Sequence, residues 1–188
     1  MRGRLLDLQP FRGTDAAGRS VRAEVERHDG RLVLRYALHA EAPDAWRLAP
    51  QANAPVRRDR LWEHTCLEAF VAPEDAAAYW EINLAPSGDW NVYRFDGPRT
   101  GMREESRARR PGMERAAADG SCTLVATLDL TTLPELAATS LRVGLAAVVE
   151  AADGSLAYWA IRHPGPRPDF HDRAAFVVRL PAVSEARA

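Results

Sequence analysis

The 188-residue chain has no lysine; all 25 of its basic residues are Arg. Arg is the residue for bidentate contacts, but alongside so many Ala the bias reflects a GC-rich coding sequence rather than function. Only two cysteines occur, Cys66 and Cys122. That is too few for a disulfide framework or a zinc site, so both are expected as buried free thiols in apolar strands. Net charge is also scarce, at −1 with a pI near 6.5, which leaves no global field to attract nucleic acid or an anionic membrane. No window of 18 apolar residues exists, so no transmembrane helix is expected. The start, MRGRLLDLQPFRGTD, is basic, but Asp7 and Pro10 break its apolar run before it reaches the length of a secretory leader. A cytoplasmic location follows as the expectation. There is no internal repeat, phosphate loop, nucleophile elbow or Ser-His-Asp signature.

What is present is a β pattern. The 46% hydrophobic and 27% charged fractions are ordinary for one globular domain, here taken as residues 1–188. Asp-Gly pairs at Asp29-Gly30, Asp96-Gly97, Asp119-Gly120 and Asp153-Gly154 suit the positive-φ positions of tight turns. Three of them separate short runs of strand character: 21–27 from 31–38, 113–118 from 121–129, and 141–150 from 156–162. Further strands are expected at 66–71, 79–84, 90–95 and 174–180. The fold class is therefore all-β, an antiparallel β-sandwich of jelly-roll or immunoglobulin-like type. Helix is confined to a turn at 74–78 and a short segment from Thr131, with Thr at its cap. Stretches 40–60 and 97–112 read as loops, the latter carrying the mixed run REESRARR, a solvated segment or an anion clamp.

Residues 62–96 hold Trp62, Trp80, Trp90, Tyr79, Tyr93, Phe70 and Phe95 together with Glu, Asn and Arg. If 79–84 and 90–95 form a hairpin across Pro86–Asp89, Asn83 pairs with Asn91 and Glu81 with Tyr93. Tyr79, Glu81 and Asn83 then share one face, and Trp80, Ile82 and Leu84 the other. The second face, with Val92 and Trp90, is the core face, and Trp80 and Trp90 are read as core residues. Arg94 is a plausible donor to ligand hydroxyls. Glu68 lies in an apolar strand and requires a partner, whether an Arg or a ligand. Farther on, His163, Asp169, His171 and Asp172 share a Pro-rich loop. Two readings stand for them: hydrogen bonds that order the loop, or a metal or acid–base site with His163, Asp169 and His171 at its centre.

Trp62 followed by Thr65-Cys66-Leu67-Glu68-Ala69-Phe70 resembles a segment of the DOMON-like superfamily, which includes family 9 carbohydrate-binding modules and haem-binding cytochrome domains. Tyr79 through Phe95, Tyr158-Trp159-Ala160-Ile161-Arg162-His163-Pro164 and Pro168-Asp169-Phe170-His171 resemble a cytosolic bacterial subgroup, sometimes labelled UDP-N-acetylmuramate dehydrogenase-like. The resemblance spans roughly residues 61–176. It implies a two-sheet sandwich that binds a small ligand, sugar or haem. By the same resemblance Trp62 and Trp159 would stack on a sugar and Glu68 would accept from its hydroxyls, with Arg94, Asn83 and Asn91 as further polar contacts. The expected function is a non-catalytic module for a saccharide or sugar derivative, with no cofactor. Three alternatives remain: a haem domain using Met102, Met113, His163 or His171, a metal-dependent enzyme centred on residues 163–172, and a protein-interaction module. Oligomeric state is left open.

Overall fold

A computed structural model describes residues 5–42 and 44–182; the basic start at residues 1–4 lies outside them. In chain order the strands are β1 (Leu6–Pro10), β2 (Arg19–His28), β3 (Arg31–Ala40), β4 (Cys66–Pro73), β5 (Tyr79–Leu84), β6 (Trp90–Phe95), β7 (Arg103–Glu104), β8 (Gly112–Ala118), β9 (Ser121–Asp129), β10 (Leu141–Glu150), β11 (Leu156–Ala160) and β12 (Val178–Leu180). One α-helical turn, α1 (Pro134–Ala137), and short 3-10 turns at Leu61–Glu63, Leu130–Thr132 and Arg173–Ala175 complete the structure.

All strand pairs are antiparallel. A back sheet runs β1-β2-β3-β9-β8, and a front sheet runs β7-β6-β5-β4-β10 before continuing through β11; β12 also pairs with β10. Strand β1 bonds to both β11 and β2, so the two sheets are one curled, 12-stranded sheet folded on itself. The sequence reading missed this strand because Asp7 and Pro10 interrupt its apolar pattern. Pro10 is tolerated because it ends the strand.

Period-2 patterning builds the back sheet. In β3, Leu32, Leu34, Tyr36, Leu38 and Ala40 are buried and the residues between them are not. Strand β9 repeats this with Cys122, Leu124, Ala126 and Leu128. These residues meet Leu67, Ala69, Val71, Trp80, Ile82, Leu84, Trp90 and Val92 of the front sheet in one core. Two of the turns between strands are of the expected Asp-Gly kind, with Asp29 and Gly30 at φ 45° and 76° and Asp119 and Gly120 at 42° and 74°.

The front sheet departs from alternation. Every residue of β4 and β5 is buried, because the segment after β11 folds back over the sheet's outer face. Phe170, Ala175 and Phe176 pack there on Phe70, Tyr79 and Phe95. Gly144 makes room for this cover: a Cβ on it would lie 2.9 Å from the Phe176 ring. The run 174–180, expected as one strand, is a 3-10 turn capped by Asp172 followed by the three residues of β12. The turn expected at 74–78 is not helical. No Thr caps this segment: Asp129 caps the 3-10 turn Leu130–Thr132 by accepting from the Thr131 N–H, and α1, with Leu133 at its N-cap position, has no side-chain cap. Both Cys66 and Cys122 are buried free thiols.

Candidate functional site

The β5–β6 hairpin has the register its loop length dictates, with Glu81 opposite Tyr93 and Asn83 opposite Asn91. Pairing of β4 with β5 sets Glu68 beside Asn83 and Phe70 beside Glu81. The outer face of the front sheet therefore carries Glu68, Phe70, Glu81, Asn83, Asn91, Tyr93 and Phe95, backed by the core residues on the opposite face. Tyr36 ties the two sheets beneath this strip, its hydroxyl donating to the Glu68 carbonyl at 2.6 Å.

The covering segment leaves one part of this face open. There a cavity of about 360 Å³ is lined by Glu68 and Glu81 of the sheet, by Phe95, Val148 and Tyr158, and by Trp62, Arg99, Met102, Pro168, Phe170 and His171. Trp62 stands on the 3-10 turn before β4 and packs edge-on against Tyr93, with centroids 5.6 Å apart. Arg99 holds the rim. Its φ of 52° lies in the left-handed region, which non-glycine residues rarely adopt. Two contacts fix it: its N–H donates to the Tyr79 hydroxyl at 3.2 Å, and its guanidinium donates to Asp169 at 2.8 Å.

The floor is electrostatically unusual. Glu68 is 3% exposed and Glu81 4%. Burial, reinforced by the neighbouring Glu81 charge, pushes the Glu68 carboxyl well above the usual range. Burial likewise raises Glu81 to about 7, against the pull of the Asn83 amide, which donates to it at 2.8 Å, and of Arg99. Neither carboxylate forms an ion pair with an Arg among the described residues. The nearest basic atom to Glu81 is His171 Nε2 at 3.7 Å. Burial lowers the His171 imidazole to about 4, so it is neutral at pH 7. The Tyr79 hydroxyl accepts from the Arg99 N–H and is hydrogen-bonded to His171 Nδ1 at 2.7 Å. Glu68 Oε1 and Asn83 Oδ1 are buried with no hydrogen-bond partner. Such oxygens are costly to leave unpaired. A ligand bearing several donors would satisfy the one that lines the cavity.

The residues singled out from the sequence do not all meet here. Trp62 and Glu68 line the cavity, with Asn83 directly beside Glu68. Trp159 does not: it is 2% exposed on the opposite face, in the core between the sheets and edge-on to Trp46. Period 2 separates it from Tyr158, and Tyr158 is the residue at the cavity. Arg94 is likewise on the core side, over the Trp80 ring at 5.1 Å and 3.4 Å from Glu135. Asn91 is fully engaged. Its amide donates to Tyr93, Glu104 and the Arg58 carbonyl, and its oxygen accepts from Arg57. His163, Asp169 and His171 diverge: His163 bonds to the Gln9 carbonyl, Asp169 to Arg99, and His171 to Tyr79. No set of three or more His, Cys, Asp or Glu is disposed to hold a metal among the described residues. The REESRARR run is less solvated than expected, for Glu105 is buried and accepts from the Trp80 indole at 3.0 Å. Arg107 bonds to the same carboxylate and draws it down to about 2.

Sequence reasoning missed Arg99, Phe95, Tyr158 and Phe170 as cavity residues. The alternation that placed Glu81 on the Asn83 face also places Phe95 there, so that residue was within reach. Arg99 and Phe170 arrive from loops, where no periodicity points to them.

A second, larger trough of about 790 Å³ lies at one end of the sandwich, lined by Trp46, Arg47, Arg58, Arg60, His64, Asp89 and Glu150 among others. Its basic side chains are matched internally: Arg47 and His64 with Glu150, Arg58 with Asp89, and Arg60 with Glu63. Its size exceeds that of the aromatic cavity, but among the described residues no buried carboxyl oxygen without a partner lines it.

Solved structures with this fold include a candidate carbohydrate-binding protein from Bacteroides uniformis, 16% identical, with a TM-score of 0.64 over 93% of this chain and 84% of that one. A family 9 carbohydrate-binding module from Caldicellulosiruptor kristjanssonii in complex with glucose is 10% identical, with a TM-score of 0.57 over 96% and 84%. A family 9 module from the same organism in complex with cellotriose gives 0.51 over 85% and 72%, also at 10% identity. At these identities the likeness establishes the β-sandwich and nothing finer. No family model matches the chain, and no curated protein matches it in sequence.

Proposed function

We propose that the chain is a non-catalytic binding module for a saccharide or sugar derivative, seated in the cavity floored by Glu68 and Glu81. The observation that carries this reading is the combination of aromatic walls (Trp62, Phe95, Tyr158 and Phe170) with a floor of acceptors that includes an unpartnered buried oxygen of Glu68. Sugars offer apolar C–H faces to aromatic rings and many hydroxyl donors to carboxylates. The volume suits one or two sugar rings better than a long polymer. The fold shared with modules that bind glucose and cellotriose supports the reading, as does the sequence resemblance to DOMON-like sandwiches. A cytoplasmic setting and an affiliation with the cytosolic bacterial subgroup belong to the same proposal. Trp62 and Glu68 keep their proposed roles as stacking platform and acceptor. Tyr158 replaces Trp159, and Arg99 replaces Arg94.

Isothermal titration against mono- and oligosaccharides and nucleotide sugars tests this. One class should bind saturably, and Trp62→Ala should weaken it at least tenfold with the melting temperature nearly unchanged. Unaltered affinity in Trp62→Ala would remove the assignment of this cavity.

A further inference from the structure

The floor of the cavity says more about the ligand than that it bears donors. We propose that the ligand presents a primary ammonium group to Glu68 and Glu81, so that the saccharide is an amino sugar with a free amine. This rests on the saccharide reading and narrows it.

Two carboxyl groups share the floor of a cavity whose walls are otherwise largely apolar and aromatic, and no guanidinium pairs with either among the described residues. Arg99 on the rim draws both carboxyls down through space, but its guanidinium pairs with Asp169. His171 is neutral and its Nε2 is 3.7 Å from Glu81, beyond hydrogen-bond range. A neutral hydroxyl would satisfy an orphan oxygen but leave any charge uncompensated. A buried carboxylate without a counter-charge is expensive, and the protein meets that cost by holding protons on the pair. An ammonium group supplies three donors and the missing positive charge together. Glu68 and Glu81, which line the cavity, would be its acceptors, and Glu68 Oε1 has no partner within the protein. The rings of Trp62, Phe95, Tyr158 and Phe170 would add cation–π attraction from the walls. Sugar phosphates and uronic acids are disfavoured by the same floor, since they would bring a third negative group to it.

The charged and titratable groups around the pair are Tyr36 on β3, Cys66 on β4, Tyr79 on β5, Tyr158 on β11, Arg99 and Asp169 on the rim and His171 on the covering segment. Of these only His171 has its ordinary titration near neutrality, and it is already uncharged there. Binding of an ammonium ligand at pH 6 should therefore release protons from the carboxyl pair, and affinity should rise with pH until the ligand's own amine deprotonates.

The experiment is calorimetry at pH 7 with glucosamine and its β-1,4 oligomers, with glucose and N-acetylglucosamine of matched length as neutral counterparts, and with putrescine as an amine without a ring. The free-amine sugars should bind at least tenfold more tightly than either neutral set and than putrescine. In the folded double variant Glu68→Gln/Glu81→Gln the preference for free-amine over neutral sugars should fall to near unity. Equal or tighter binding of the neutral sugars by the native chain would overturn the ammonium inference and leave the saccharide reading standing. Putrescine binding as tightly as glucosamine would overturn the saccharide reading and with it the amino-sugar assignment, and so would silence across all the sugars.

Discussion

Glu81 and His171 face each other across 3.7 Å and are displaced in opposite senses, and this gives the stability of the protein a particular pH signature. Glu81 titrates near 7 in the fold, against 4.5 for an unperturbed carboxyl. The folded state therefore holds a proton that the unfolded chain has lost. The stability tied to this proton is intact below about pH 4.5 and is lost as pH rises through 7, roughly 3 kcal/mol in all. His171 titrates near 4 in the fold, against 6.5 unperturbed. Its contribution is intact above pH 6.5 and is lost as pH falls toward 4, again about 3 kcal/mol. Between pH 4.5 and 6.5 the slopes of Glu81 and His171 nearly cancel, and Glu68, also displaced upward, adds further loss as pH rises above about 4.5. Either amount is a large part of the total stability of about 5–15 kcal/mol typical of a domain. Urea unfolding of the native chain and Glu81→Gln at pH 4.5, 6 and 7.5 separates the two. The variant should be close to native at pH 4.5 and gain on it by about 3 kcal/mol by pH 7.5. A gap between the two proteins that does not change with pH would refute the buried-carboxyl reading of the floor.

Other substitutions separate site from scaffold. Trp159→Ala should destabilise by about 3–5 kcal/mol in chemical denaturation, as loss of a buried aromatic does, whereas Trp62→Ala should act on binding and hardly on melting. Arg94→Ala should leave ligand affinity unchanged in calorimetry while costing about 1 kcal/mol of stability, through its contacts with Trp80 and Glu135. Gly144→Ala would drive a methyl against Phe176, and overpacking of about 1–3 kcal/mol should appear as a lowered midpoint in urea.

Much of the back sheet was legible because period 2 survives in it, as in β9. The bounds of β5, β6 and β10 and the Asn83–Asn91 register follow from strand-type residues and turn length. The hidden parts have physical reasons. Strand β1 carries too few apolar residues to stand out, yet it joins the sheets. The 3-10 turn and short strand near 173–180 are set by how Phe176 settles over Gly144, a long-range contact. At the site, the outward face of Glu68 and Glu81 was readable, but a resemblance that points to Trp159 cannot see that this residue faces the core. Arg99 depends on a left-handed backbone position and on Asp169, neither of which leaves a pattern in the chain.

The five tryptophans divide between the two hollows of the molecule and the core, so their indole N–H resonances report where a sugar sits. Trp62 lines the aromatic cavity, Trp46 the larger trough, and Trp80, Trp90 and Trp159 are buried in the core. A ¹H–¹⁵N correlation spectrum, assigned by single Trp→Phe variants and followed through titration with the tightest-binding sugar, tests the central claim. The account expects the Trp62 indole to shift saturably while that of Trp46 stays in place. Movement of Trp46 with Trp62 unmoved would put the ligand in the trough and contradict it.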